Sequence, residues 1–184
     1  MNITVVGAGI VGSAIAHELA SRGARVQLID SRGVARGATH ASAGILAPQI
    51  EGHIPELRKL ADHSLAMYDD FVRRVERASN RSIEYGRNGT LQVALQDREA
   101  AMLAGDAQAL ARNGVEYTVL DREAARRLVP SLSDRATSAL LVPSHGYVAA
   151  SALTEAEVRG TRLHLLWARH ITVVAGRQDA ADAL

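Results

Sequence analysis

The chain has 184 residues, 47% of them hydrophobic and 22% charged, with 21 basic side chains against 20 acidic ones. That balance fits a soluble globular protein of one domain or a little more, and it offers no basic patch for nucleic acid or an anionic membrane. There is no cysteine, which excludes disulfides, thiolate metal sites and thiol catalysis.

The N-terminus lacks a basic leader, and no run approaches the roughly 20 apolar residues of a membrane span. A cytoplasmic protein with no membrane span and no nucleic-acid partner is therefore expected. Ile3–Val6 is short, β-branched and apolar, as a buried parallel strand is. Residues 10–22 turn to helical spacing, with Ile10, Ala14, Ile15 and Leu19 on one side and His17, Glu18 and Arg22 on the other. Gly23 stands where a helix ends in the left-handed region, and Val26–Ile29 reads as a second strand. Together these make a βαβ unit of about 30 residues.

Between the first strand and the helix lie Gly7, Ala8, Gly9, Ile10, Val11 and Gly12. The three glycines do different things. Gly7 permits the tight turn, Gly9 lets a pyrophosphate approach the backbone, and Gly12 lets helix and strand pack closely. The N–H groups and dipole at the helix start favour phosphate. Asp30 ends the second strand, where a carboxylate accepts hydrogen bonds from the adenosine ribose. A glycine turn without a ligand is the bland alternative; strand, helix, second strand and terminal acid together favour a dinucleotide. Arg32 would suit a 2′-phosphate, but Asp30 repels one, which disfavours NADP.

The next stretch, "SRGVARGATHASAGILAPQ", departs from the helix–strand repeat of nicotinamide domains. Its small residues from Gly37 to Gly44 suit a backbone pressed against a long ligand, although a plain flexible loop has the same composition. Here the sequence resembles the FAD-dependent amino-acid oxidases of the D-amino-acid oxidase superfamily, in particular glycine oxidases of the thiamine-pathway type. The likeness rests on "VVGAGIVGSAIAHELASRGARVQLID" and "ASAGILAP", with weaker support from "NGTLQVAL" and "HGYVAASAL", and spans about residues 1–155.

The resemblance implies an α/β fold: a Rossmann-like FAD-binding domain with an inserted α+β substrate domain, incomplete at the C-terminus. It implies that Gly7, Ala8, Gly9, Ile10, Val11 and Gly12 hold the FAD pyrophosphate and that Asp30 binds the ribose. Ser31 and Arg32, then Thr39, His40, Ala41, Ser42, Ala43, Gly44, Ile45 and Leu46, would run along the cofactor, with Ile45 reaching the flavin near the substrate. The implied activity is oxidative deamination of a small amino acid by oxygen, giving an imine and hydrogen peroxide. The clamp for the substrate carboxylate would lie beyond Leu184, so no catalytic residue is assigned. An inert dinucleotide-binding fragment, a D-amino-acid dehydrogenase or sarcosine-oxidase-like enzyme, and an NAD enzyme remain as alternatives.

Apolar residues then recur as Ile54, Leu57, Leu60, Ala61, Leu65, Tyr68, Phe71, Val72 and Val75, which predicts a long one-faced helix with Pro55 in its first turn. His53 and His63 have no partner at metal spacing and read as solvated or locally bonded. After a turn at Asn88-Gly89, a strand is expected over 90–95 and a helix from a cap at Asp97 to Asn113-Gly114. A strand over 116–120 and a helix capped by Asp121 and closed by Pro130 follow. The triplets at 97–99 and 121–123 read as helix-start charge rather than paired catalytic carboxylates. Ser144-His145 lacks a nucleophile elbow, which argues against hydrolase chemistry.

The expected division is a FAD-binding βαβ with its following helices over 1–80, an α+β insert over 81–142, and a return to the FAD domain over 143–184. Past Glu155 the sequence leaves the family pattern, with Ala149 and Ala150 where its proline motif would fall and Gly160 interrupting the helix. Ile171–Val174 is a further candidate strand. Either the chain is an amino-terminal piece with an unrelated ending, or it pairs with a complementing subunit; a homo-oligomer is also open.

Overall fold

The computed structural model describes residues 2–49, 55–161 and 164–167. It opens with β1 (Asn2–Val6), α1 (Ile10–Ser21) and β2 (Arg25–Asp30). β1 and β2 are parallel, with Ile3 opposite Val26 and Val6 opposite Ile29. Parallel neighbours need a crossover, and α1 supplies it. Gly23, at φ +87°, ends that helix and donates its N–H to the Ala20 carbonyl. Ala8, Ala16, Val26 and Leu28 are buried between helix and sheet.

α2 (Ala38–Ala41), β3 (Ile45–Leu46) and α3 (Pro55–Ser79) follow, then β4 (Tyr85–Gly86), β5 (Thr90–Ala94) and α4 (Asp97–Arg112). The described chain ends with β6 (Thr118–Asp121), α5 (Arg122–Leu128), β7 (Ser138–Val142), β8 (Gly146–Val148), α6 (Ala150–Arg159) and β9 (His164–Trp167). The strands form three sheets, ordered β1-β2-β9, β3-β8-β4 and β5-β7-β6. The first is parallel and the other two are antiparallel. α4 and α5 pack on the β5-β7-β6 sheet, giving an α+β unit in the middle of the sequence.

Several local expectations shift. The buried face of α1 is Ser13, Ala16 and His17, while Ile15 is exposed. Small residues on that face let α6 pack directly on α1, and His17 is satisfied there through Nδ1 by the Glu157 carbonyl and the Thr161 hydroxyl. Leu65, Val72 and Val75 of α3 are buried as expected, the two valines joining Ile83, Val148, Leu153 and Ala156 in one core; Leu57 and Leu60 are exposed. Burial of each such Val or Leu contributes about 1.5–3 kcal/mol.

Asp97 lies inside α4 rather than capping it: Gln96 is the extended cap residue, and Glu99 reaches back to accept the Leu95 N–H at 2.6 Å. Asp121 does cap α5, accepting the Ala124 N–H at 2.7 Å. β6 begins two residues later than the predicted strand, at Thr118. The central strand of this sheet, β7, has no counterpart among the predicted elements. Its apolar run is too short to separate strand from helix by periodicity.

Gly160 caps α6, and the chain then returns to the parallel sheet, where β9 pairs with β2 from Gln27–His164 to Asp30–Trp167. His53, Ile54 and the candidate strand Ile171–Val174 lie outside the described residues.

Candidate cofactor site

The C-terminal ends of β1 and β2 and the N-terminus of α1 converge on one cleft of about 620 Å³. Crevices at such strand ends are where open α/β sheets bind ligands. A slightly larger opening, about 670 Å³, lies at the far end of α1 between His17, Arg74 and Thr161; the glycine turn is not part of it.

Gly7 has φ +103° and donates its N–H to the Ile29 carbonyl at 2.7 Å, which carries the β1–β2 ladder one step into the turn from β1 to α1. A Cβ on Gly12 would lie 1.9 Å from the Gly7 carbonyl oxygen, so the helix can start there only with glycine. Gly9 also faces a protein side chain. A Cβ there would approach the Thr39 hydroxyl at 3.1 Å, and that hydroxyl accepts the Ile10 N–H at 3.0 Å. The space is thus shared with a protein side chain that satisfies one of the free amides of the helix start. Val11 and Gly12, which also belong to the first turn, line the cleft.

Asp30 organises the other wall. Its Oδ2 accepts the Ala8 N–H at 2.9 Å, and its Oδ1 accepts those of Arg32 at 2.6 Å and Gly33 at 3.0 Å. Burial works against ionisation, but these three amides and the Arg32 guanidinium outweigh it and hold the carboxyl below its ordinary value. Ala8 is fully buried beneath the turn and accepts the Ala35 N–H through its carbonyl, which locks the following loop in place.

Of the expected residues, Gly7, Gly9, Ile10, Val11 and Gly12 line the cleft, as do Asp30, Arg32, Thr39 and Ser42. Ser31, His40, Ala41 and Ala43 are exposed outside its lining. Gly44 is buried against the return segment: at φ +67°, a Cβ would lie 1.9 Å from the Val148 carbonyl oxygen. Ile45 and Leu46 border a separate cavity of about 200 Å³ shared with Pro48, Ser64 and Tyr68. Val5, Val6, Ile15 and Arg36 line the cleft without having been assigned to it from the sequence, while Gly37 and Ala38 line it as part of the small-residue run. The placement of Arg36 depends on the buried, left-handed Ala35 before it, which composition does not reveal. Gly37 leaves room for the Arg32 guanidinium, which a Cβ would meet at 2.9 Å.

The donor set fits a dinucleotide: a helix start with free amides, two arginines and a low-pKa carboxylate surround a cleft whose wall includes exposed Val11 and Ile15. Among the described residues no cluster of three His, Asp or Glu is placed to hold a metal ion, and no helix is long and apolar enough to cross a membrane.

The chain is similar to glycine oxidase of Bacillus licheniformis, 28% identical over 162 residues that cover 86% of this chain and 42% of the relative. It is also similar to the bifunctional tRNA 5-methylaminomethyl-2-thiouridine biosynthesis protein of Maricaulis maris, 43% identical over 74 residues that cover 40% of this chain and 12% of the relative. Among solved structures, glycine oxidase from Geobacillus kaustophilus superposes with a TM-score of 0.85 at 26% identity, covering 89% of this chain and 45% of that one. The chain thus spans less than half the length of these relatives. The FAD dependent oxidoreductase family, DAO, matches residues 2–177, which carries the likeness past Glu155, where the sequence motifs end it. With a βαβ cleft built for a dinucleotide and a family match over nearly its whole length, this chain belongs to the DAO family of FAD dependent oxidoreductases.

Proposed function

We propose that this chain forms the FAD-holding part of a flavoenzyme that oxidises a small amino acid in the manner of a glycine oxidase. In this reading Gly7–Gly12 and Asp30 grip the pyrophosphate and ribose. Ser31 and Arg32 support the adenosine side, and Thr39–Leu46 leads to the reacting ring. Residues 1–80 and 143–184 belong to the cofactor domain and 81–142 begin the substrate domain, in a cytoplasmic protein. The observation that carries the reading is the cleft itself, where Asp30 and the Gly7–Gly12 turn face one space at the strand ends.

Bound FAD would supply the two-electron acceptor. The substrate loses two electrons and two protons from Cα–H and N–H to become an imine, which water hydrolyses, and oxygen accepts the electrons to give hydrogen peroxide. The part played by this chain's residues is to bind and orient. Amides of the α1 start offset phosphate charge, Asp30 fixes the sugar, and the β3 segment offers backbone to the ring. A dinucleotide-binding part without turnover of its own is the second reading.

Titration of the purified chain with FAD and with NAD, followed by a peroxide assay with glycine, sarcosine and D-alanine, tests both. FAD uptake with peroxide supports the enzyme. Uptake without peroxide supports the binding part. A chain that takes neither nucleotide refutes both readings.

A further inference from the structure

A chain of hydrogen bonds outside the dinucleotide cleft links four segments distant in sequence. His145 lies in the turn between β7 and β8 and is fully buried. Its Nδ1 is 2.7 Å from the Thr90 hydroxyl at the start of β5, and its Nε2 meets Oε1 of Gln49, in the turn after β3. Gln49 in turn donates from Nε2 to Oδ1 of Asp62 on α3, at 2.7 Å.

The direction of every bond follows from the ends. A carboxylate only accepts, so the amide nitrogen of Gln49 faces Asp62 and its oxygen faces His145. That oxygen needs a donor, which places the ring proton on Nε2. Nδ1 of the neutral ring then accepts from the Thr90 hydroxyl. Burial and the Arg87 guanidinium both oppose a charge on the ring, and only Asp62 favours one. Arg87 is itself tied to the Leu65 carbonyl on α3, and Arg58 stands 3.9 Å from the other oxygen of Asp62. The ring therefore has one orientation and one tautomer.

Leu46 of this segment packs against the core around Val72 and Val148, but its backbone ladder is short. β3 pairs with β8 through two residues, Ile45 with Tyr147 and Leu46 with Gly146, and Gly44 accepts the Val148 N–H. Past Leu46 the ladder stops, and the Gln49 side chain is the next tie among the described residues.

We propose that His145 is a positioning residue: acting through Gln49, it fixes the turn after β3, and with it the Ile45 backbone, against the β5-β7-β6 sheet and α3. Its bearing on the cofactor rests on the FAD reading of the Ile45 segment given above. The side-chain link thereby adds to the two-residue β3–β8 ladder in holding the α+β unit and the cofactor segment in one register.

The test uses the whole chain and its Gln49→Ala, Thr90→Val and Thr90→Ser variants, with three readouts. Imidazole nitrogen shifts of the wild type should show Nε2 protonated and Nδ1 bare, with a midpoint below that of an ordinary histidine. Amide exchange over residues 45–49 should quicken about tenfold in Gln49→Ala and Thr90→Val, the equivalent of one hydrogen bond. It should stay at the wild-type rate in Thr90→Ser, which keeps the hydroxyl, while β5 and β7 keep their protection in all three. FAD affinity should fall in the same two variants. A protonated Nδ1, unchanged exchange in Gln49→Ala, or loss of protection spread evenly over β5 and β7 would overturn the positioning role. A wild type that takes no FAD would instead defeat the cofactor reading, and the first two readouts decide the positioning role by themselves.

Discussion

Replacing Glu157 by Gln takes a titratable group out of the junction of α6 with α1 and α3 and leaves its shape in place. Glu157 is 0% exposed, and among the described residues neither carboxylate oxygen has a hydrogen-bond partner. Burial pushes its pKa from the ordinary 4.5 to about 8, and it in turn helps burial to raise that of Tyr68 on α3. The facing groups are His17 on α1, bonded to the Glu157 carbonyl, and Tyr68. Neither donates to the carboxylate. Between those two pH values the folded chain binds a proton that the unfolded chain has released, so stability falls as the pH rises. The slope approaches about 1.4 kcal/mol per pH unit, which accumulates to a few kcal/mol by pH 8 and then levels off.

The assay is urea unfolding of wild type and Glu157→Gln from pH 5 to pH 9. The variant should match or fall slightly below wild type at pH 5 and exceed it by a few kcal/mol at pH 9. Glu157→Leu, which buries no polar group, should be the more stable at every pH. Parallel curves for wild type and Glu157→Gln would show that the carboxyl is solvated or paired, and would refute the reasoning.

Gly12→Ala forces a Cβ to within 1.9 Å of a backbone carbonyl, so the turn must shift; calorimetry should show a fall of several degrees in Tm, and FAD binding should be lost. Asp30→Asn keeps the size but turns one acceptor into a donor facing backbone N–H groups. FAD affinity, read by flavin fluorescence, should drop at least about tenfold, the cost of an unmatched polar group. Because the folded-state pKa of Asp30 is lowered, its own contribution to wild-type stability is present at neutral pH and is lost as the pH falls through the acid range; in the Asp30→Asn variant that part of the acid dependence should vanish from urea midpoints. Thr39→Val removes the acceptor for the Ile10 N–H and should cost about 1 kcal/mol in urea unfolding, with an amide at the α1 start that exchanges faster.

The amino-acid sequence by itself determined the features that depend on neighbours along the chain. The turn at Gly7, the glycine at position 12 in the first turn of α1, the stop at Gly23 and the cap at Asp121 follow from which residue tolerates a given backbone angle or satisfies a nearby amide. The carboxylate at the end of β2 was legible for the same reason, from its spacing to the glycines.

Only the tertiary structure decided what depends on residues far apart in sequence. It gave Asp30 three amide partners, put Thr39 against Gly9, turned the Ser13–His17 face of α1 inward onto α6, and joined Gln49 to His145 across 96 positions. It also enclosed Glu157 in a core that a helical wheel would never assign to a carboxylate. Backbone preference is a short-range property and can be read residue by residue. Burial and hydrogen-bond pairing are set by which surfaces meet, and that is settled only when α1, α3 and α6 close on one another.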